Sequence, residues 1–361
     1  MNVLDIRLSG YPDTRNVRVM SMINITQTSS KKQVKAVGLI SGGLDSIVAA
    51  KVVKDLGVEV YGVYFAMPWG CCDKTTAIEA ATQIGISFIV LQLDERYLEM
   101  VRKPRHGYGS VMNPCVDCRI HMFSRAGQYM RHIGADFVFT GEVLGQRPMS
   151  QMRHSMKSVE EGADLEGRLL RPLSARLLDP TIPETEGLID RDRLLGISGR
   201  SRKDQIQLAQ GLNITAYNQP AGGCLLTDKN FAARMKDTLK HGYRNFRETI
   251  ALKWGRHFRL SPEIKIILGR DEEENEALIR HAHPDDYVMQ MSDDRGPTLI
   301  LKGYNPVPEI LATAAGLVQK FSRLKDQSPV EMNYWQCRDK NDVRRVVARV
   351  IDESEIERMR L

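Results

Sequence analysis

A serine- and glycine-rich turn lies between an apolar run and a helical pattern early in the chain. Its six residues are Ser41, Gly42, Gly43, Leu44, Asp45 and Ser46. Free backbone N–H groups and the positive end of the helix meet at such a turn, so it can bind an anion. The glycines let a phosphate approach the backbone, the serine hydroxyls can donate hydrogen bonds, and Asp45 can orient Mg²⁺. The spacing therefore predicts a phosphate-binding turn.

Two cysteines, Cys115 and Cys118, stand at the start of a predicted helix. A helix N-terminus lowers a thiol pKa and favours the thiolate, which ligates metals or attacks sulfur. The C-x-x-C pattern alone is compatible with a redox pair, half of a zinc site or part of an iron–sulfur site.

A third cysteine, Cys224, follows two glycines in the sequence Pro-Ala-Gly-Gly-Cys. Cys115, Cys118 and Cys224 would together hold a 4Fe-4S cluster with one iron left open, and this is the interpretation we prefer. In the alternative, Cys224 carries a persulfide and Cys115 or Cys118 resolves it as a disulfide. Cys71 and Cys72 follow a predicted strand, and the sequence leaves open whether they line the site or are structural.

Short apolar strands alternate with helical patterns from residue 34 onward, which predicts an α/β fold with a doubly wound parallel sheet. Ligands of such sheets bind at the carboxyl ends of the strands. The turn at Ser41–Ser46 follows the strand Ala36–Ile40, and Gly141 and Glu142 follow the strand Phe137–Thr140. We therefore expect Gly141 and Glu142 near the same ligand as the turn.

Three regions are predicted from the change in composition along the chain. Residues 1–33 form an extension in which Val3 to Leu8 could be an edge strand. Residues 34–228 form the α/β domain, and residues 229–361 form a smaller basic α+β domain. The acidic run Asp271–Glu276 is expected to be a solvated turn.

The chain has 361 residues, 42% of them hydrophobic, and a formal net charge of +6. This mild excess of positive charge permits a polyanionic partner. No apolar run approaches the length of about 20 residues that spans a bilayer. No secretory leader is recognisable at the N-terminus, so a cytoplasmic location without membrane contact is expected.

Several motifs occur in one order along the chain and together resemble a known family. The turn Ser41–Ser46 resembles the pyrophosphate-binding loop SGGxDS of the PP-loop ATPases (adenine nucleotide alpha hydrolase-like proteins). With the C-x-x-C at Cys115, the stretch Thr140-Gly-Glu-Val-Leu-Gly-Gln146 and the Gly-Gly-Cys224 turn, it resembles the ATP-dependent tRNA uridine thiolation enzymes. The stretch at Thr140 is most similar to the 4-thiouridine synthetases, and Asn-Pro-Cys-Val-Asp-Cys is similar to the 2-thiouridylases. Residues 269–322 resemble the RNA-binding domain of the NFACT proteins.

The resemblance implies an enzyme that transfers AMP to a uridine carbonyl of tRNA and then replaces the oxygen with sulfur. ATP and Mg²⁺ would bind at the loop, with Gly141, Glu142 and Gln146 as further nucleotide contacts. Asp45, Cys115 and Cys224 would be catalytic, and 4-thiouridine is favoured over 2-thiouridine as the product. The sulfur would come from sulfide or from a donor such as a cysteine desulfurase; whether the chain forms a homodimer is left open.

Some polar residues are weaker candidates for contact with RNA. Gln146, Arg147 and Gln151 could contact the nucleotide or an extruded uridine. Arg200, Arg202 and Lys203, like the basic stretch Lys236 to Arg259, could contact phosphates. Two other functions compete with thiolation: a PP-loop synthetase that acts on a small molecule, and a non-catalytic RNA-binding factor.

Overall fold

The computed structural model describes residues 3–4, 17–20, 33–67, 69, 74–218, 223–243, 245–292, 296–303 and 306–361. The chain divides into two compact units, Met1–Cys224 and Leu225–Leu361. Cys71 and Cys72, whose role the sequence leaves open, lie outside the described residues. In the part of the chain that the structure describes, no helix is both long and apolar enough to cross a membrane.

The first unit contains a seven-stranded sheet. Its strands are β1 (Val3–Leu4), β2 (Val17–Met20), β3 (Lys35–Leu39), β4 (Glu59–Ala66), β5 (Ser87–Gln92), β6 (Phe137–Thr140) and β7 (Leu169–Leu170). They lie in the order β1-β2-β5-β4-β3-β6-β7. The five strands from β5 to β7 pair in parallel, whereas β2 joins β5 and β1 joins β2 in antiparallel fashion. The predicted α/β class with a parallel sheet is confirmed. The edge strand expected within Val3 to Leu8 is found at β1, Val3–Leu4. Its neighbour β2 was not predicted, because four residues are too short a pattern.

Helices of the first unit lie between these strands or follow β7. They are α1 (Leu44–Asp55), α2 (Lys74–Ile84), α3 (Glu95–Arg102), α4 (Cys115–Ile133), α5 (Arg153–Gly162), α6 (Ile182–Thr185) and α7 (Lys203–Gly211). The central strands β3 and β6 are neighbours, and Phe137, Val138 and Phe139 are fully buried. Because parallel neighbours end at the same edge of the sheet, the segment after β3 and the segment after β6 lie side by side.

The second unit is an antiparallel sheet with helices. Its strands are β8 (Arg256–Arg259), β9 (Lys265–Leu268), β10 (Tyr287–Met291), β11 (Leu299–Lys302), β12 (Glu331–Gln336) and β13 (Asp339–Val347), in the order β13-β12-β10-β11-β9-β8. Its helices are α8 (Lys229–His241), α9 (Glu272–His281), α10 (Pro308–Lys320) and α11 (Glu353–Met359). The predicted α+β class of this unit is confirmed.

One prediction in the second unit is wrong. The acidic run Asp271–Glu276 is not a turn, because α9 begins at Glu272. Asp271 caps the helix, since its side chain accepts a hydrogen bond from the backbone N–H of Glu274. Acidic residues in the first turn also interact favourably with the positive end of the helix dipole. This combination of cap and charge is the signal for a helix start.

Candidate active site

The turn between β3 and α1 is held by its two serines. Ser46 Oγ donates to the Gly43 carbonyl at 2.8 Å and accepts from the Ser41 backbone N–H at 3.2 Å. Ser41 Oγ lies 3.3 Å from Ser46 Oγ and accepts from the Gly43 N–H. No side chain caps the N-terminus of α1 at Gly43. The turn therefore has a fixed shape, and the uncapped helix end is suited to an anion.

Gly42 is required by both its conformation and its surroundings. Its φ of +78° is in the left-handed region, and a Cβ there would lie 2.7 Å from Asn218 Nδ2 and 3.1 Å from Ala77 Cα. The backbone N–H of Asn218 donates to the Gly42 carbonyl at 2.7 Å. Asn218 thus lies against the turn although it is far away in sequence, and its Nδ2 is buried without a hydrogen-bond partner in the structure as described.

Gly141 lies on the first turn of α1. A Cβ at this position would be 2.5 Å from the carbonyl carbon of Asp45 and 2.5 Å from the nitrogen of Ser46. Only glycine allows this approach of two backbones. The expectation that Gly141 lies close to the turn therefore agrees with the geometry, while its contact with a nucleotide stays a prediction.

Glu142 is buried and engages two arginines. Its Oε1 accepts from Arg119 Nε at 2.5 Å, and its Oε2 accepts from Arg171 Nε at 3.1 Å. Arg119 follows Cys118 directly and also reaches the Cys115 carbonyl at 3.5 Å. Since both carboxylate oxygens are occupied, this geometry favours a positioning role that connects the start of α4 to the end of β6.

Asp45 sits in a buried polar cluster. Burial raises its pKa, against the opposing effects of Arg202, Gln146, Arg147 and Gln205. Arg202 Nη2 lies 3.6 Å from Asp45 Oδ2.

Several atoms of this cluster have no hydrogen-bond partner among the described residues. They are Asp45 Oδ1, Gln146 Nε2, and both amide atoms of Gln205. Buried polar groups are nearly always paired, so this concentration indicates a site that a polar ligand completes. A carboxylate beside an uncapped helix end fits Mg²⁺ with phosphate groups, because Mg²⁺ takes one or two carboxylates together with phosphates. Of the predicted contacts, the structure brings Gln146 and Arg202 to Asp45; it adds Gln205 and Asn218, which no motif marked.

The cysteines lie around a buried phenol. Tyr97 Oη is 3.2 Å from Cys118 Sγ, and Asn113 Nδ2 donates to Cys115 Sγ at 3.1 Å. Burial raises the pKa of Tyr97 well above its usual value, and Cys118, Cys224 and Cys115 raise it further. All three sulfur atoms are therefore near one side chain, which the sequence did not single out.

The thiolate form that the sequence predicts for these cysteines is not favoured at Cys118. Burial raises the pKa of this thiol and outweighs the lowering by the Tyr97 hydrogen bond and Arg119. Within the described ranges, no group of three or more His, Cys, Asp or Glu side chains could hold a metal ion. A 4Fe-4S cluster on Cys115, Cys118 and Cys224 therefore stays a prediction, without support from the described geometry.

Comparisons with known proteins match each unit to a family. The family model described as "Thiamine biosynthesis protein (ThiI)" matches residues 31–176. The model described as "NFACT protein RNA binding domain" matches residues 255–360. The predicted resemblance to PP-loop tRNA thiolation enzymes with an NFACT-type RNA-binding domain is confirmed. Residues 177–254, which include Arg202, Gln205 and Asn218, lie outside both matches.

Curated relatives cover the chain only in part. A tRNA-specific 2-thiouridylase MnmA of Clostridioides difficile is 28% identical over 58% of this chain and 59% of its own length. An MnmA of Tropheryma whipplei is 36% identical over 30% of this chain and 33% of its own length. The chain thus spans less than two thirds of these relatives. Among solved structures, a 4-thiouridine synthetase–RNA complex with bound ATP has a TM-score of 0.37 and 20% identity, covering 56% of this chain and 50% of that one.

Proposed function

We propose that the chain is an ATP-dependent tRNA sulfurtransferase that transfers AMP to a uridine carbonyl oxygen and replaces that oxygen with sulfur. The observation that carries the proposal is a short connection between the phosphate turn and the thiols. Gly141 contacts the backbone of Asp45, its neighbour Glu142 binds Arg119, and Arg119 contacts the Cys115 carbonyl. The adjacent residues Gly141 and Glu142, together with the ion pair between Glu142 and Arg119, therefore connect the phosphate turn to the thiols.

The ATP half of the reaction uses the turn. A carbonyl oxygen is a poor leaving group, and AMP attached to it makes the ring carbon electrophilic. The departing pyrophosphate would be held by the backbone N–H groups at the start of α1 and by Arg202, which stabilise developing negative charge. Mg²⁺ held by Asp45 would neutralise phosphate charge.

The sulfur half uses the thiols without a metal. The terminal sulfur of a persulfide on Cys224 attacks the activated carbon, a C–S bond forms and AMP leaves. A second thiolate then attacks Cys224 Sγ, the S–S bond to the transferred sulfur breaks, and the thiouridine leaves with a protein disulfide behind. An external thiol reduces that disulfide before the next cycle.

Cys115 is the better candidate for the second thiolate. Its sulfur accepts a hydrogen bond from Asn113 Nδ2, and its carbonyl is contacted by Arg119, the partner of Glu142. Burial, in contrast, raises the pKa of Cys118. The preferred sequence-based interpretation, a 4Fe-4S cluster on Cys115, Cys118 and Cys224, is the alternative. Anaerobic purification separates the two: visible absorbance that disappears in a Cys224→Ala variant would restore the cluster.

The product is proposed to be 4-thiouridine, on the basis of the stretch from Thr140 to Gln146. The curated relatives named 2-thiouridylases support the other isomer. The second unit would supply tRNA binding through its NFACT-type domain. A cysteine desulfurase would supply the sulfur by passing its own persulfide sulfur to reduced Cys224. Sulfide would supply it by attacking Cys224 Sγ in the protein disulfide, which leaves the persulfide on Cys224 and releases the second thiolate. The protein would act in the cytoplasm.

Mass spectrometry of tRNA nucleosides tests the function and the isomer together. Purified protein is incubated with unmodified tRNA and Mg·ATP, either with a cysteine desulfurase, cysteine and a reducing thiol, or with sulfide alone. The nucleosides formed are compared with those from tRNA of the wild-type and deletion strains. The expected result is an ATP-dependent thiouridine that the deletion strain lacks and that retention time assigns as the 4- or 2-isomer. Unchanged thiouridine in the deletion strain, with no product in vitro, would refute the function and favour a synthetase or an RNA-binding factor.

A further inference from the structure

Gln205 combines complete burial with a complete lack of hydrogen bonds. It is 0% exposed, and neither its Nε2 nor its Oε1 has a partner among the described residues. An apolar side chain of similar volume would avoid the cost of burying an unpaired amide. The fold alone therefore gives no reason for glutamine at this position.

The position of Gln205 relates it to Asp45. Helix α7 packs against α1, and the Gln205 amide acts on the Asp45 carboxylate as a hydrogen-bond donor that lowers its pKa, although the two side chains do not meet in hydrogen-bond geometry. Arg202 precedes Gln205 by three residues, so both face the same side of the segment, and Arg202 lies 3.6 Å from Asp45 Oδ2. Asp45 Oδ1 is itself unpaired in the described structure. An unpaired acceptor and an unpaired amide thus lie near each other without a hydrogen bond.

We propose that Gln205 is a positioning residue for Asp45, and that their hydrogen bond forms when Mg·ATP binds. Phosphate groups attract the Arg202 guanidinium away from Asp45, and the carboxylate then turns toward the cation. Gln205 Nε2 donates to Asp45 Oδ1 in that arrangement and fixes the carboxylate. Part of the ligand's binding free energy then comes from a hydrogen bond that is not fully formed in the free protein. This inference rests on the ATP binding of the proposed function.

A pair of substitutions on one helix tests the inference. Gln205→Met keeps the side-chain volume and removes the unpaired amide, and Gln207→Met makes the same change at an exposed position of α7. Ligand-free melting temperature and the Kd for Mg·ATP are measured for both variants and the wild type. For Gln205→Met we expect a ligand-free Tm that is unchanged or about 2–4 °C higher. The Kd for Mg·ATP should rise about tenfold. Gln207→Met should match the wild type in both measurements.

The outcomes separate a positioning role from a structural one. A Gln205→Met variant with a lower Tm and an unchanged Kd would show a structural glutamine and overturn the inference. An unchanged Tm with an unchanged Kd would also overturn it. The binding assay contains neither tRNA nor sulfur. A wild type that binds Mg·ATP but does not thiolate tRNA would therefore refute only the proposed function. A wild type that does not bind Mg·ATP would refute both.

Discussion

Two largely buried aspartates, one in each unit, have opposite surroundings. The side chain of Asp237 in α8 is 6% exposed. It accepts two hydrogen bonds from Arg259, at 2.9 and 2.6 Å, and lies 3.0 Å from Lys265 Nζ. Burial acts to raise the pKa of Asp237, but Arg259 and Lys265 overcome it and lower the pKa to about 2.

Asp45 has a similar burial and far fewer partners. Its side chain is 14% exposed, Arg202 is 3.6 Å away, and Oδ1 has no hydrogen bond in the described structure. Here burial prevails and the pKa is raised. The comparison teaches that burial of a carboxylate is not by itself a sign of function. A fully paired carboxylate stabilises its own fold, while an incompletely paired one indicates a ligand.

The largest effect on stability is expected for Asp237→Asn. The substitution removes the negative charge and leaves Arg259 and Lys265 buried beside a neutral amide. Breaking a buried ion pair in this way costs about 3–5 kcal/mol. Urea unfolding of the variant, followed by tryptophan fluorescence, measures the loss. A change below about 1 kcal/mol would mean that the cluster around Asp237 is not a stability element.

Asp45→Asn should affect function and stability in opposite directions. Because burial raises the pKa of Asp45, its ionised form costs free energy in the ligand-free fold. The neutral amide should therefore leave the Tm unchanged or higher, while ATP-dependent thiolation falls about 10²–10³-fold. Activity and thermal melting are measured on the same preparation. A variant that is both active and less stable would place Asp45 with Asp237 as a structural residue.

The sequence predicted the parts of the site that are contiguous in the chain. Ser41–Ser46, Gly141 and the C-x-x-C each belong to a local pattern, because strand, turn and helix follow one another directly. Asn218, Gln205 and Tyr97 were not predicted, since only the tertiary fold brings them to the turn or to the thiols. No spacing rule connects residues that are this far apart in the chain.

Charge patterns were less informative than backbone patterns. The stretch Lys236 to Arg259 was predicted to contact phosphates, yet Arg259 pairs with Asp237 within the second unit. Arg202 was predicted in the same way and instead lies beside Asp45, the residue with incomplete pairing. The sequence could not distinguish these two arginines, because the difference depends on how many partners the neighbouring carboxylate already has.

Acid should weaken the second unit through Asp237. A folded-state pKa of about 2, below the ordinary 3.8, means that the stabilisation is complete above about pH 4 and is lost as the pH falls toward 2. The loss is on the order of 2 kcal/mol. Unfolding free energies of the wild type and Asp237→Asn are compared at several pH values in this window, with Trp254 and Trp335 as probes. Parallel pH dependences in the two proteins would contradict the lowered pKa.

The smallest effect is expected for Asp55→Asn, at the opposite end of the helix that carries Asp45. Lys51 Nζ contacts both Asp55 carboxylate oxygens at 2.5 Å, but the Asp55 side chain is 42% exposed. An exposed i,i+4 pair contributes about 0.3–0.5 kcal/mol, and a negative charge at a helix C-terminus opposes the dipole. The unfolding free energy should therefore change by less than about 0.5 kcal/mol, with activity retained. A larger loss of unfolding free energy would show that exposed ion pairs on α1 also support the phosphate turn. Burial and pairing alone would then no longer explain the contrast between Asp45 and Asp237.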